Sequence, residues 1–508
     1  MLAWTIYISF ITALVLACIP RERTDLIRRI ALFGSILGLL FGFVGALQIS
    51  PGRLNEITNV SWIPTLGISY YLAADGISVV LVILTGIAAV AGVLFSWNVE
   101  SRVNEFFALY LTLIGAVYGV FLSFDLFLFF VFYELAIIPK YFLIAIWGST
   151  RKEYGAMKLS LYSFVGSAMV LVGLLVAFVI SGASTLSLPE LAGFHFPRSF
   201  QLWAFPLVFV GFGILAGLWP FHTWAPTGHV AAPTAASMLL AGIVMKLGAY
   251  GCLRVAMTLF PEGLHPWGVS FFGLGSWRDV LSLLAVIGIL YGAMVALVQS
   301  DLKFVVGYSS VSHMGFVLLG LMTLNSTGLS GAVLQMFSHG IIAGLLFAVV
   351  GRMLYDRTHT RQLAELEAMN LARHLPFAAV TFVLAAVASM GLPGFSGFVA
   401  ELQVLIGAWQ AFPGFAILAG AGVVISVAYS LRALQRSFFA ESQNAGKTRL
   451  HDEGRGMFDR ISVPEKIGAI LLLSVSLFVG LYPDCLLRLI GPSLTLPMFD
   501  WLGKGGAL

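Results

Sequence analysis

Two lysines lie where a lipid bilayer is least hospitable to charge: Lys246, inside the apolar run from Thr234 to Met257, and Lys140, inside the run from Leu126 to Trp147. A lysine at the centre of a membrane helix costs about 2.5 to 3.5 kcal/mol on insertion scales, so a charge kept there marks an ion or proton path. Two carboxylates share the setting. Glu134 (FVFYELAIIPKYF) stands near the middle of its run, and Glu401 (GLPGFSGFVAEL) lies about two helical turns past Pro393, which places both near mid-depth. His313 (YSSVSHMGF) and His339 (QMFSHGIIAG) add imidazoles, whose ordinary pKa of about 6.5 suits proton relay. Burial disfavours the charged form of an acid or base and pairing restores it, so each of these groups can exchange a proton when a neighbour moves. The competing reading makes Glu134, Lys246 and Glu401 packing ion pairs or neutral carboxyls, and the histidines hydrogen-bonded packing residues. His222 and His229 (HTWAPTGH) have no evident third metal ligand and a proline between them, so they read as structural.

The elements that hold these residues are membrane helices. Hydrophobic residues make up 59% of the 508, charged residues 10%, and the mean hydropathy is +0.95, whereas a soluble domain carries about 25% charged residues. Apolar runs of spanning length predict an all-α, polytopic protein with helices near 2–20, 29–49, 76–97, 105–122, 124–147, 155–181, 201–221, 233–258, 280–298, 302–322, 329–351, 376–410, 413–438 and 465–485. That is about fourteen spans. The first run lacks a basic flank and continues into further spans, so it reads as a retained helix rather than a cleaved signal.

Lysine and arginine distribution orients the chain. With the N-terminus outside, most basic residues fall in cytoplasmic loops. Arg53, Arg198, Arg254, Arg278, Arg488 and Lys504 then lie on the outer side, with Lys140 and Lys246 at depth. Both termini are expected outside a bacterial-type inner membrane. The net charge of +4 forms no basic stripe of the kind that binds nucleic acid. The segment from Arg436 to Lys466 reads as a solvated loop or docking surface. Cys18, Cys252 and Cys485 are scattered, without a CxxC, and no dinucleotide or phosphate-binding loop is present. No cofactor or metal is expected on this chain, and an enzymatic role is that of a subunit.

Glycine and proline interrupt the fifth span (Pro139), the seventh (Gly217, Pro220) and the twelfth (Gly391, Pro393, Gly394, Gly397). Freed backbone groups inside a bilayer need protein or cavity water, so broken helices line pathways. Breaks at matching places in two halves point to repeated transporter units. The expected organisation is residues 1–104 (spans 1 to 3), 105–258 (first unit), 259–440 (second unit) and 441–508 (loop and last span).

FYELAIIPKYFLIAIWGS, WPFHTWAPTGHVAAPTAASMLLAGIVMKLGAYG, QSDLKFVVGYSSVSHMGFV, SHGIIAGLLF and GLPGFSGFVAEL together resemble the antiporter-like subunits of proton-pumping respiratory complex I (NADH-quinone oxidoreductase), most nearly the M type, the counterpart of mitochondrial subunit 4. The resemblance runs from about Asp75 to Leu481 and implies fourteen helices with two inverted five-helix repeats. It also implies proton transfer driven by quinone reduction elsewhere. Quinone, flavin and iron-sulfur clusters would then sit in partner subunits, the neighbours being other membrane-arm subunits and lipid. Glu134, Lys246, Glu401, His313 and His339 match the family's proton-path positions. The chain departs at Leu215, where the family has a lysine paired with the fifth-helix glutamate, and at APTGH in place of LPDAH. Lys140 is a candidate compensation. The alternatives are that it snorkels to the interface, or that the first unit's channel is altered while its coupling role persists. In the same fold class, a multisubunit Na+/H+ antiporter or a hydrogenase-type complex is the alternative assignment.

Overall fold

The computed structural model describes residues 1–267, 274–440 and 458–504. Residues 441–457, within the charged segment noted above, lie outside the described residues. Twelve described helices are long and apolar enough to cross a membrane. In chain order with two shorter apolar helices and one further piece, the helices are α1 Ala3–Cys18, α2 Thr24–Gln48, α3 Gly76–Phe95, α4 Val103–Leu122, α5 Leu126–Trp147, α6 Lys152–Ser181, α7 Arg198–Ala231, α8 Thr234–Leu259, α9 Trp277–Val298, α10 Leu302–Met322, α11 Ser326–Thr358, α12 Pro376–Ser389, α13 Ser396–Ala411, α14 Pro413–Phe439 and α15 Val463–Leu481. The twelfth expected span is therefore two pieces, α12 and α13. They are separated by Gly391 (φ +75) and Gly394 (φ +102), which hold a left-handed backbone that breaks the helix.

One short sheet accompanies the helices. Asn55–Ile63 (β1) and Ile68–Ala74 (β2) form an antiparallel hairpin between α2 and α3. Its turn requires Gly67 (φ +65), because a Cβ there would lie 1.9 Å from the Ser184 carbonyl oxygen. A search for long apolar runs passes over such strands, which span only nine and seven residues.

Side-chain caps satisfy first-turn N–H groups that a bilayer cannot. Asp75 accepts from Ser78 N at α3, Asp125 from Phe127 and Leu128 at α5, and Asp301 from Lys303 and Phe304 at α10. The last two caps sit in the same local setting. Leu126 N donates to Leu186 O and Leu188 N to Phe124 O; likewise Leu302 N donates to Arg361 O and Leu363 N to Ser300 O. They lie at opposite ends of the bundle. Asp125 also accepts from Ser69 in the hairpin, whereas Lys303 beside Asp301 reaches Val230 and Ala232, where α7 passes into α8 at the far end.

The site helices are the central ones. The apolar windows of α3, α8 and α11 are 100% buried within this chain, against 33% for α2, α14 and α15. Small residues allow the close central crossings. Gly340 of α11 and Gly242 of α8 meet backbone to backbone, since a Cβ on Gly340 would lie 2.7 Å from Gly242 O.

Candidate proton-relay site

Lys246 lies in α8 just after a wide π-helical turn, Leu240–Val244, a distortion found often at functional sites. Its ammonium is fully buried. It donates to the Ala241 carbonyl and meets His339 Nδ1 of α11 at 2.7 Å. The crossing at Gly242 and Gly340 makes that contact possible, because Gly340 directly follows His339. The His339 ring then stacks on His313 of α10, centroid to centroid 5.3 Å. His313 Nε2 is 3.3 Å from Glu401 Oε1 of α13, which also accepts from Gln335 Nε2 at 3.3 Å. Lys246, His339, His313 and Glu401 thus form one buried line across four helices.

The broken helix completes the surroundings of His313. Ser389, the last residue of α12, presents its carbonyl 3.2 Å from His313 Nε2, while Nδ1 faces the Ser309 carbonyl at 2.8 Å. Both ring nitrogens face acceptors, so only the doubly protonated ring can donate to both sides. Ser309 also bonds Tyr429 of α14 at 2.7 Å. A cavity of about 10 Å³ between His313, His339, Gln335, Ser389 and Glu401 has room for about one water. His339 Nε2 has no partner among the described residues.

The break in α7 has a different use. Trp224 is fully buried and donates its indole N–H to Ile214 O at 2.7 Å, across the interruption that begins at Gly217 (φ +84). That gives the tryptophan of the FHTW motif a physical role: it adds a bond to a last-turn carbonyl that also accepts from Gly217 N at 3.2 Å.

Glu134 and Lys140 do not join the line. Glu134 is half-buried in α5, with Oε1 buried and without a partner among the described residues. Lys140 is 2% exposed, so it does not snorkel to an interface, and its Nζ donates to Ser163 Oγ of α6 at 3.1 Å. Leu215 is buried in α7.

Three basic or imidazole groups have a place the sequence reading missed. Lys303, assigned there to a loop, is 3% exposed and held by the carbonyls of Val230 and Ala232 at 3.3 and 2.7 Å. It lines a cavity of about 240 Å³ with Thr234, Arg352 and Arg361 at the far end of the bundle. His229 is fully buried, its two ring nitrogens without a partner among the described residues, and it feels the charges of both Lys303 and Lys246. Arg254, assigned to an outer loop, lies inside α8 and pairs with Asp75 at 2.6 Å. A charge near the end of an apolar run looks like a loop residue until its partner on another helix is known. No group of three or more His, Cys, Asp or Glu able to hold a metal occurs among the described residues. His222 is buried against Tyr291.

The pattern of the NADH:quinone oxidoreductase/Mrp antiporter transmembrane family matches residues 123–426. The chain is 36% identical over 468 residues to NADH-quinone oxidoreductase subunit M of Rhodobacter capsulatus, covering 90% of this chain and 86% of that one. A chain of respiratory complex I from Thermus thermophilus, solved with bound NADH, superposes with a TM-score of 0.86 at 27% identity, covering 99% of this chain and 100% of that one. A chain of the Mrp complex from Dietzia sp. DQ12-45-1b shares the fold, with a TM-score of 0.83 at 22% identity over 98% of this chain and 97% of that one. Matched through its central helices and along most of its length by subunit M, the chain belongs to the NADH:quinone oxidoreductase/Mrp antiporter transmembrane family.

Proposed function

We propose that the chain is a proton-translocating, membrane-arm subunit of an NADH:quinone oxidoreductase of the complex I type. It would work beside other membrane-arm subunits, which with their hydrophilic partners hold the quinone, flavin and iron-sulfur clusters. The observation that carries this reading is the buried line from Lys246 through His339 and His313 to Glu401. In this account Lys246 passes a proton to His339 Nδ1. Water in the small cavity links the two rings, and His313 hands the proton to Glu401. Lys303 and His229 extend the line from Lys246 toward the cavity at the far end.

The matching Asp125 and Asp301 caps, at opposite ends of the bundle, support two inverted units spanning 105–258 and 259–440. Counting α12 and α13 as one broken span gives fourteen among the described helices, which supports the number the resemblance implies. The basic-residue distribution supports both termini on the outer side of a bacterial-type inner membrane.

The test compares the whole complex in membrane vesicles with the native chain and with Lys246→Ala, reading donor-to-quinone electron transfer and proton uptake. The account predicts an assembled complex in which proton uptake per electron falls by about tenfold or more. Native rates of both would make Lys246 structural. Sodium-driven proton exchange without an electron donor would support the antiporter reading instead, which the shared Mrp fold motivates.

A further inference from the structure

We infer that Lys140, positioned by Ser163, is the proton station that links Glu134 to Lys246, and that it does from α5 what a lysine at position 215 would do from α7. The inference rests on the proton path proposed above.

Four observations carry it. The Lys140 ammonium has three N–H donors, and its one hydrogen bond among the described residues is to Ser163 Oγ at 3.1 Å. The hydroxyl is itself fixed by donating to Leu159 O at 2.8 Å, which turns a lone pair toward the lysine. A buried ammonium so sparsely bonded is not a settled packing pair. Second, an acid of opposite need lies nearby. Glu134 Oε1 is buried without a partner among the described residues, and Glu134 is close enough for its charge to act on Lys140. The two residues flank Ala136, where α5 divides into Leu126–Leu135 and Ile137–Trp147.

Third, Lys140 is anchored on the face of α6 that meets α7 at the level of Leu215. Ser163 lies one turn before Gly166, on the same face. A Cβ on Gly166 would lie 2.5 Å from Gly211 O and 3.5 Å from Ile214 Cβ, so the two backbones touch there. Tyr133, next to Glu134, packs its ring 5.4 Å from Phe212, on the turn before Leu215. Fourth, the same stretch of α7 presses on α8 beside Lys246. A Cβ on Gly248 would meet Phe212 O at 2.5 Å and Leu215 C at 2.9 Å. The order across the bundle is Glu134 and Lys140, Ser163, Leu215, then Lys246. Leu215 offers no proton carrier on α7, and Lys140 is anchored through Ser163 beside the same stretch of α7.

The test uses the whole complex in vesicles, with electron transfer, proton uptake per electron and native-gel abundance read together. Lys140→Met is expected to assemble and to lose proton uptake per electron. Adding Leu215→Lys to that variant should restore it, a recovery that a packing role for Lys140 would not produce. Ser163→Ala should shift the pH profile of pumping while leaving abundance unchanged. Native pumping by Lys140→Met overturns the inference. So does a loss that Leu215→Lys fails to recover in an assembled complex. If Lys140→Met does not assemble, Ser163→Ala decides: an unchanged pH profile overturns the inference. Lys246→Ala separates the two claims, since its loss of pumping beside a fully active Lys140→Met would leave the proposed function standing and remove only this inference.

Discussion

Buried charge in this protein is handled in two ways, and the difference lies in the partners. Lys246 meets a neutral carbonyl and an imidazole nitrogen, both able to remain satisfied when its proton leaves. Arg254 meets a carboxylate, Asp75, at 2.6 Å, with Tyr250 OH at 3.2 Å and the rings of Phe124 and Phe499 at 5.1 and 5.6 Å from its guanidinium carbon. Arginine does not release its proton in proteins, so the second arrangement holds structure rather than moving charge. Removing one member of such a pair leaves the other buried and uncompensated, at about 3 to 5 kcal/mol. Arg254→Met is therefore expected to lower the thermal stability of the purified complex by an amount in that range. Asp75→Asn added to it should recover a large part, because asparagine still caps α3 and no lone charge remains. Equal stability of native and Arg254→Met would show that the pair contributes nothing. Lys246, Glu401, His313 and His339 were legible in the sequence because titratable groups stand out in long apolar runs. Arg254 and Lys303 were not, because their burial is decided by Asp75 and by the carbonyls of Val230 and Ala232, residues far away along the chain.

Among the helices, irregular geometry falls where the line of residues needs it. The wide turn Leu240–Val244 precedes Lys246, the end of α12 frees the Ser389 carbonyl for His313, and Gly391 leaves room for Glu401, whose Oε2 would lie 3.0 Å from a Cβ there. The sequence showed the prolines and glycines that break the seventh and twelfth spans. It did not show the wide turn in α8, which has no proline, nor the hairpin, whose strands are too short for a search by membrane thickness. The crossing of α8 and α11 gives the most direct link from packing to function. Gly340→Ala would push a methyl to 2.7 Å from a backbone oxygen that cannot swing aside. The two helices must part, at about 1 to 3 kcal/mol, and the Lys246 to His339 contact must lengthen. The expected result is an assembled complex with reduced proton uptake per electron. Unchanged uptake would mean the contact tolerates separation.

Over the whole molecule, a sealed centre lies inside a ring of helices that expose apolar side chains. Exposed side chains such as Val424, Leu431, Leu161 and Phe164 lie on α14 and α6, while α3, α8 and α11 bury their apolar windows completely. Composition alone announced a membrane protein, yet it could not separate these classes, since both are apolar; only the packed fold distinguishes them. The central claim is that Lys246 carries a proton rather than a fixed charge. The direct measurement is proton uptake per electron in vesicles holding the complex with Lys246→Arg, which keeps the charge but cannot give it up. The account predicts a complex of native abundance that no longer couples electron transfer to proton uptake. Native coupling by the arginine variant would contradict it.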